Sequence, residues 1–588
     1  MKKYLFTKPL QEFKSITQGL YESKTIPCGV AYVAAALRQT GRSISSFTMS
    51  YETSVSELID CIETEQIDVL CVGAMSPEYP ALKQMIASVR ENCPNVKILV
   101  GGGIITAEPE YIVTILDMDF GCIGYGEEFI CEFADCLESG GDFNEIKGLI
   151  HRGDDGKYII NPSRPEPRCI DDFVYPAYEL FGLGSEEGTI GVPIVGSRSC
   201  PFNCTFCFHG NSSYKERSLD SIFEEIEYWQ QKFQVSHVSL YDELFGYKKE
   251  RVLEFCERFK KLGVTLYLSL RVDIVTDELM KELSDVGCKI FYGIESANQD
   301  VLDSMKKRIT VEQIENALRI TSKNNITFYG NILFGDTVET TERATETLEW
   351  WFRNHHYGFN LYPIRAYPGS ILYKRGVESG LIDRDDFYSR GCPVVNLSAM
   401  SDFEFEKLMR KVEILAELDG EPVINAKIEE KDGTIRFCGD CSACGAANSV
   451  NAEKFYKSVE SYFNDVCVHC GAKMKVVNRY KGYIDGTDYF ESFDYGDKKI
   501  AVWGCTDKAM FRMGMNKNLK KHCVAIVDAN FDSLTSPFFG HTVQSPEALL
   551  KSDFDVIYIG ARFYAARTEI RTRVLEMFGN TKEIMAIS

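Results

Sequence analysis

The stretch Ser197-Arg198-Ser199-Cys200-Pro201-Phe202-Asn203-Cys204-Thr205-Phe206-Cys207 decides how the rest of the chain is read. Three cysteines on one short loop, spaced Cys-x3-Cys-x2-Cys, can each hold one iron of a cubane 4Fe–4S cluster and leave the fourth iron open. Half a zinc site and a chance spacing of thiols are the competing readings. A zinc site takes four ligands in pairs, and only His209 lies close enough in sequence to add one. The loop follows an apolar run at 192–196 that reads as a strand, and the carboxyl ends of barrel strands are where such folds keep their chemistry. Cys200, Cys204 and Cys207 are therefore the candidate catalytic and metal-binding residues.

Working outward, strand-like runs recur at 192–196, 237–241, 264–270, 289–294, 327–334 and 358–362, each followed by a helical pattern. Pro363 is expected to cut the last run short. Ser218 is a plausible N-cap, with Leu219, Ile222, Phe223, Ile226 and Trp229 behind it at helical spacing. Thr310 to Gln313 forms a capping box. Six consecutive strand–helix units predict an open partial barrel over 191–400, short of the eight units of a closed one.

Upstream, apolar runs at 69–72, 98–100 and 120–123 alternate with amphipathic stretches at 80–92, 109–116 and after Glu127. That spacing predicts a doubly wound α/β domain over 1–160 whose ligand lies beyond the strands' carboxyl ends. A proline-bearing linker, 161–190, joins it to the barrel. Downstream come a helical connector (401–436), a cysteine-rich segment (437–475) and a small α/β domain (490–588) with strands at 500–503, 524–527 and 556–559.

Composition narrows the class. The net charge of −21 argues against a phosphate-gripping surface, so nucleic acid is not the expected partner. No apolar run reaches the roughly 20 residues of a membrane span, and the first residues turn polar before a signal-peptide core could form. A cytoplasmic protein is expected. Twenty-one cysteines in such a chain point to metal ligation and buried thiols rather than disulfides. Thirteen of them are read mostly as small core hydrophobes. The exceptions are the three loop cysteines and Cys438, Cys441, Cys444, Cys467 and Cys470.

The three-cysteine loop, with an aromatic before its last cysteine, resembles the radical S-adenosylmethionine (SAM) superfamily, and residues 1 to about 400 are similar to its cobalamin-binding-domain class. The resemblance implies that the open iron chelates SAM and that an electron from the cluster releases a 5′-deoxyadenosyl radical. It implies cofactor contacts at strand ends: Asp242 and Glu243, Arg271, Glu295 and Ser296, and Gly335, with Tyr367-Pro368-Gly369 as the sixth-strand turn. In the N-terminal domain, Met75, Ser76, Gly102, Gly103, Tyr125 and Gly126 match the positions that would hold cobalamin. Mutase-type cobalamin proteins place a histidine below cobalt from an Asp-x-His-x-x-Gly loop. The first 150 residues contain no histidine, so cobalt is expected without a ligand from this domain.

Cys441-Ser-Ala-Cys444-Gly and Cys467-Val-His-Cys470-Gly are one knuckle written twice, and four thiolates so paired make a closed zinc site. An auxiliary cluster using Cys438 is the rival. The last domain resembles the Rossmann-like extension of some sugar C-methyltransferases, although Gly504 alone falls short of a dinucleotide fingerprint.

The leading expectation is cobalamin-dependent methylation of an unactivated carbon. The resemblance makes methylcobalamin the donor, a small molecule or biosynthetic intermediate the substrate, and a flavodoxin or ferredoxin the electron source. The alternatives are a cobalamin-independent rearrangement, coupling or cyclisation, and a non-catalytic iron–sulfur or corrinoid sensor.

Overall fold

A computed structural model describes residues 1–9, 26–49, 55–185, 190–208, 212–354, 357, 359–416, 421–431, 434–441, 446–452, 462–466, 473–477, 498–504, 521–529, 531, 541–559, 564–579 and 581–586. The chain forms two compact units, Met1–Phe405 and Glu406–Ser588.

The first unit opens with a seven-stranded sheet of order β2-β1-β3-β4-β5-β6-β7. Its strands are β1 (Lys3–Lys8), β2 (Ser43–Thr48), β3 (Val69–Gly73), β4 (Lys97–Gly101), β5 (Phe120–Cys122), β6 (Leu149–Arg152) and β7 (Tyr158–Ile160). The first five run parallel, while β6 and β7 add an antiparallel hairpin at one edge. β3 and β4 read as continuous apolar runs because helices cover both their faces, and Leu70, Val72, Ile98 and Val100 pack with Leu5, Leu82 and Ile86 in one core. The sequence reading passed over β1 and β2. β1 is three apolar residues between lysines, and β2 (Ser-Ile-Ser-Ser-Phe-Thr) is a half-exposed edge strand with no apolar run to betray it.

The stretch between the sheet and the barrel is packed rather than loose. Asn161 donates to the carbonyls of Phe143 and Ile146 at 2.7 and 2.8 Å, and buried Tyr178 stacks on Trp229 at 5.4 Å.

The barrel follows as a six-stranded parallel sheet: β8 (Ile190–Ile194), then β11 (Val235–Leu240), β12 (Thr265–Leu270), β13 (Cys288–Glu295), β14 (Thr327–Phe334) and β15 (Phe359–Pro363), paired in that order. Between β8 and β11 lies a two-residue ladder, β9 (Ser197–Arg198) with β10 (Lys215–Glu216). Pro363 does not cut β15 short: it is its last residue, at the rim, where a missing donor costs nothing. Ser218 and Thr310 cap their helices through their side chains.

In the second unit, β16 (Glu421–Lys431), β17 (Thr434–Cys441), β18 (Ala447–Ala452), β19 (Tyr462–Val466) and β20 (Lys473–Val477) form a sheet of order β18-β17-β16-β20-β19. Among the described residues of 401–436, Asp402–Ala416 is helical and Glu421–Lys431 and the residues from Thr434 onward are strand. The overlooked signal was Asp432-Gly433, a dipeptide favoured in two-residue hairpins, between the paired residues Lys431 and Thr434. β21 (Ile500–Trp503), β22 (Cys523–Val527), β23 (Val556–Ile559) and β24 (Glu583–Ala586) make a parallel sheet, with Ala501, Trp503, Ile557 and Ile559 in its core. Among the described residues no helix is long and apolar enough to cross a membrane.

Candidate active site

The three-cysteine loop is pinned at several points. Gly196 N–H and Ser197 Oγ donate to the two oxygens of Asp242, at 2.6 and 2.7 Å. Ser199 adopts a left-handed backbone (φ 63°) just before Cys200. Thr205 N–H donates to Met305 O at 3.0 Å, and Thr205 O accepts from Leu372 N–H at 2.8 Å. The loop is therefore clamped by segments that follow the fourth and sixth barrel strands.

Cys204 is buried, Cys200 and Cys207 are half-buried, and all three are free thiols. The Cys204 thiol is held down, first by a hydrogen bond from Cys207 and then by the charges of Lys307 and Arg271. Cys207 is pushed up as the donor of that bond. Burial pushes Cys200 up. Among the described residues no three His, Cys, Asp or Glu side chains converge as a single-ion site. Three thiols on one loop fit a cluster whose irons each take one sulfur.

Of the strand-end residues, Asp242 and Arg271 contact this loop directly. Asp242 is buried, its pKa raised to about 6 by desolvation, and its oxygens hold the loop. An acidic residue after a strand can satisfy backbone donors, and here Asp242 takes the amide of Gly196. Glu243 is exposed beside Cys200 and raises that thiol.

Arg271 is buried, bound to Asp273 at 2.9 Å, and stacked 3.8 Å from the Phe202 ring. Glu295 ends β13 with φ 67° and receives the Lys307 ammonium at 2.7 Å. Ser296 is fully buried, 3.2 Å from Thr347 Oγ1. Gly335 has φ 110°, which a side chain would strain, and its N–H donates to Glu339. Glu339 is fully buried and raised to about 8 by desolvation. The sequence reading did not single out Glu339, Lys307 or Phe202. Lys307 sits in the basic run 306–308, which looks like an ordinary solvated face.

The candidate cobalamin residues lie where the strands of the N-terminal sheet end. Gly102 has φ 92°, and a Cβ there would sit 2.5 Å from Ala74 O. A Cβ on Gly103 would meet Met75 Sδ at 2.8 Å, and Met75 is 39% exposed. Ser76 is buried. Tyr125 packs against Phe173 at 6.2 Å, and Gly126 precedes the helix Glu127–Ser139 and sits against Val33. Two glycines that keep the backbone low under an exposed methionine fit a flat ligand at this edge. Phe208, one residue past Cys207, joins the two halves: a Cβ on Gly103 would lie 3.4 Å from its ring, and one on Gly369 2.6 Å. Cys444, Cys467 and Cys470 lie outside the described residues, and Cys441 is described only as the last residue of β17.

Residues 194–350 match the radical SAM superfamily model, and residues 17–134 match the B12 binding domain. An uncharacterized methyltransferase of Pyrococcus horikoshii is 26% identical over 66% of this chain and 87% of its own length. The anaerobic magnesium-protoporphyrin IX monomethyl ester cyclase of Rubrivivax gelatinosus is 26% identical over 55% of this chain and 61% of its own. The hopanoid C-3 methylase of Methylococcus capsulatus is 22% identical over 55% and 64%. Among solved structures, the radical SAM methyltransferase TsrM of Kitasatospora setae aligns with a TM-score of 0.53 at 16% identity over 64% of this chain and 76% of that one. The cobalamin-dependent radical SAM enzyme OxsB aligns at 0.57 and 16% identity, over 70% and 66%. These two likenesses are of fold.

Proposed function

We propose that this chain, which belongs to the radical SAM superfamily and carries a B12-binding domain, methylates an unactivated carbon in a cobalamin-dependent reaction. The observation that carries the reading is the seating of the three-cysteine loop, through Phe208, against the glycine-lined strand ends of the N-terminal sheet. A cluster on that loop would supply the electron that cleaves SAM, and cobalamin against the sheet would supply the methyl group.

The chain's own residues do the rest. Cys200, Cys204 and Cys207 would hold three irons. Asp242 fixes the loop's entry, and Met305 and Leu372 fix its middle, so the three thiols are held in a set arrangement for a cluster. Arg271 and Glu295 are the charged groups offered to SAM, while Met75, Ser76, Gly102, Gly103, Tyr125 and Gly126 would line the corrinoid.

An N-terminal domain, a partial barrel, a zinc ribbon through Cys441, Cys444, Cys467 and Cys470, and a Rossmann-like last domain complete the proposed organisation. The substrate is a small molecule or biosynthetic intermediate, and the reductant a flavodoxin or ferredoxin in the cytoplasm. Similarity to a cyclase supports ring closure as the second reading.

Anaerobic purification from cobalamin-fed cells tests the proposal. It predicts retained corrinoid and a cobalt(II) paramagnetic signal without nitrogen superhyperfine splitting, the cobalamin's own base being displaced and the first 150 residues containing no histidine. Protein that neither retains corrinoid nor takes it up would favour a cobalamin-independent reaction.

A further inference from the structure

Lys307 lies on the turn after the helix Gln299–Ser304, which itself follows the fourth barrel strand, between two residues with left-handed backbone, Lys306 and Arg308, each at φ 55°. Three features of that turn converge on the cluster loop. Met305 O, two residues earlier, accepts the Thr205 amide at 3.0 Å. The carbonyls of Lys307 and Arg308 accept from Arg271 Nη1 and Nη2, both at 3.2 Å. The Lys307 ammonium donates to Glu295 Oε1 at 2.7 Å, with 11% and 9% of the two side chains exposed.

The pair crosses β13 where the strand has no side chain: a Cβ on Gly293 would sit 2.6 Å from Lys307 Nζ and 2.8 Å from Glu295 Oε1. The same ammonium acts electrostatically on Cys204 and Cys207. Burying a lysine and a glutamate costs more desolvation than an apolar pair of equal volume, so stability alone gives little reason to keep them. A fixed positive charge beside three thiolates has another consequence. Adding an electron to an already anionic cluster is easier when a cation lies near.

We infer that Lys307 is a positioning residue of the cluster site: its ammonium aligns Glu295, its carbonyl aligns Arg271, and its charge raises the reduction potential of the cluster. This rests on the reading of Cys200, Cys204 and Cys207 as the cluster ligands. Glu295, carrying the opposite charge, opposes the effect on the potential.

The test is a redox titration of the anaerobically reconstituted full chain, following the paramagnetic signal of the reduced cluster, alongside the dissociation constant for SAM. Lys307→Met should lower the midpoint potential and weaken SAM binding at least roughly tenfold, the scale of a lost charge-assisted hydrogen bond. Glu295→Gln should move the potential the other way, and Lys307→Arg should restore it. If Lys307→Met fails to fold, the sign of the Glu295→Gln shift and the Lys307→Arg value still decide the matter. Intact clusters whose potentials do not move, or move in the same direction in Lys307→Met and Glu295→Gln, would overturn the inference. A wild-type chain that gives no cluster signal would overturn the cluster reading itself, and the inference with it.

Discussion

Arg198 Nη2 donates to Glu127 Oε1 at 2.8 Å, tying the residue two before Cys200 to the first turn of the helix behind Tyr125 and Gly126. The guanidinium sits within an aromatic surround, 4.9 Å from the Tyr32 ring, 5.5 Å from Phe173 and 5.9 Å from Tyr125. One ion pair thus joins the cluster loop to the candidate corrinoid face. Arg198→Ala would strand the buried Glu127 carboxylate, at a cost of about 2 kcal/mol, below the full value for a buried pair because the arginine is partly exposed. The double variant Arg198→Met with Glu127→Gln should regain much of that loss in thermal or urea unfolding, which an additive pair of effects would not show.

Glu339 gives a pH signature. Its carboxyl is raised to about 8 against an ordinary value of 4.5, so the folded chain holds a proton there that the unfolded chain releases between those values. Folding then loses stability as pH rises through that window, and the full penalty is present above pH 8. Glu339→Gln keeps an acceptor for the Gly335 amide and removes the charge. Its melting temperature should therefore rise relative to wild type between pH 6 and pH 9. An unchanged difference across that range would show that Glu339 titrates normally.

Gly102 is the sharpest test of the N-terminal face. With φ 92° and Ala74 O 2.5 Å from a Cβ position, Gly102→Ala should cost roughly 1–3 kcal/mol of local strain. If the backbone here lies under a corrinoid, the variant should also lose retained cobalamin under conditions where the iron content of the barrel is unchanged. Retention equal to wild type would move the corrinoid elsewhere.

Much of this was legible before any coordinates. The barrel strand Thr327–Phe334 is legible through alternation: Phe328, Gly330, Ile332 and Phe334 are buried between more exposed neighbours. The edge strand Ser43–Thr48 is not, since an edge carries polar residues. Strand ends are legible in the sequence, whereas the protein partner each charged residue takes there is not. Asp242 and Glu295 look alike in sequence, yet one is taken up by backbone and hydroxyl donors of the loop and the other by a lysine 12 positions later. That lysine was invisible in the run Lys306-Lys307-Arg308, because composition shows charge but not the left-handed turns that send the middle residue inward.

Labelled SAM tests the central claim most directly. Full-length chain, loaded anaerobically with iron, sulfide and cobalamin and supplied with reductant, should convert SAM to two products. 5′-Deoxyadenosine reports radical cleavage, and S-adenosylhomocysteine reports methyl donation. Replacing Cys200, Cys204 and Cys207 by alanine should abolish the first, and omitting cobalamin should abolish the second. Formation of 5′-deoxyadenosine by the triple variant, or its formation by the loaded wild type with no S-adenosylhomocysteine, would contradict cobalamin-dependent radical methylation.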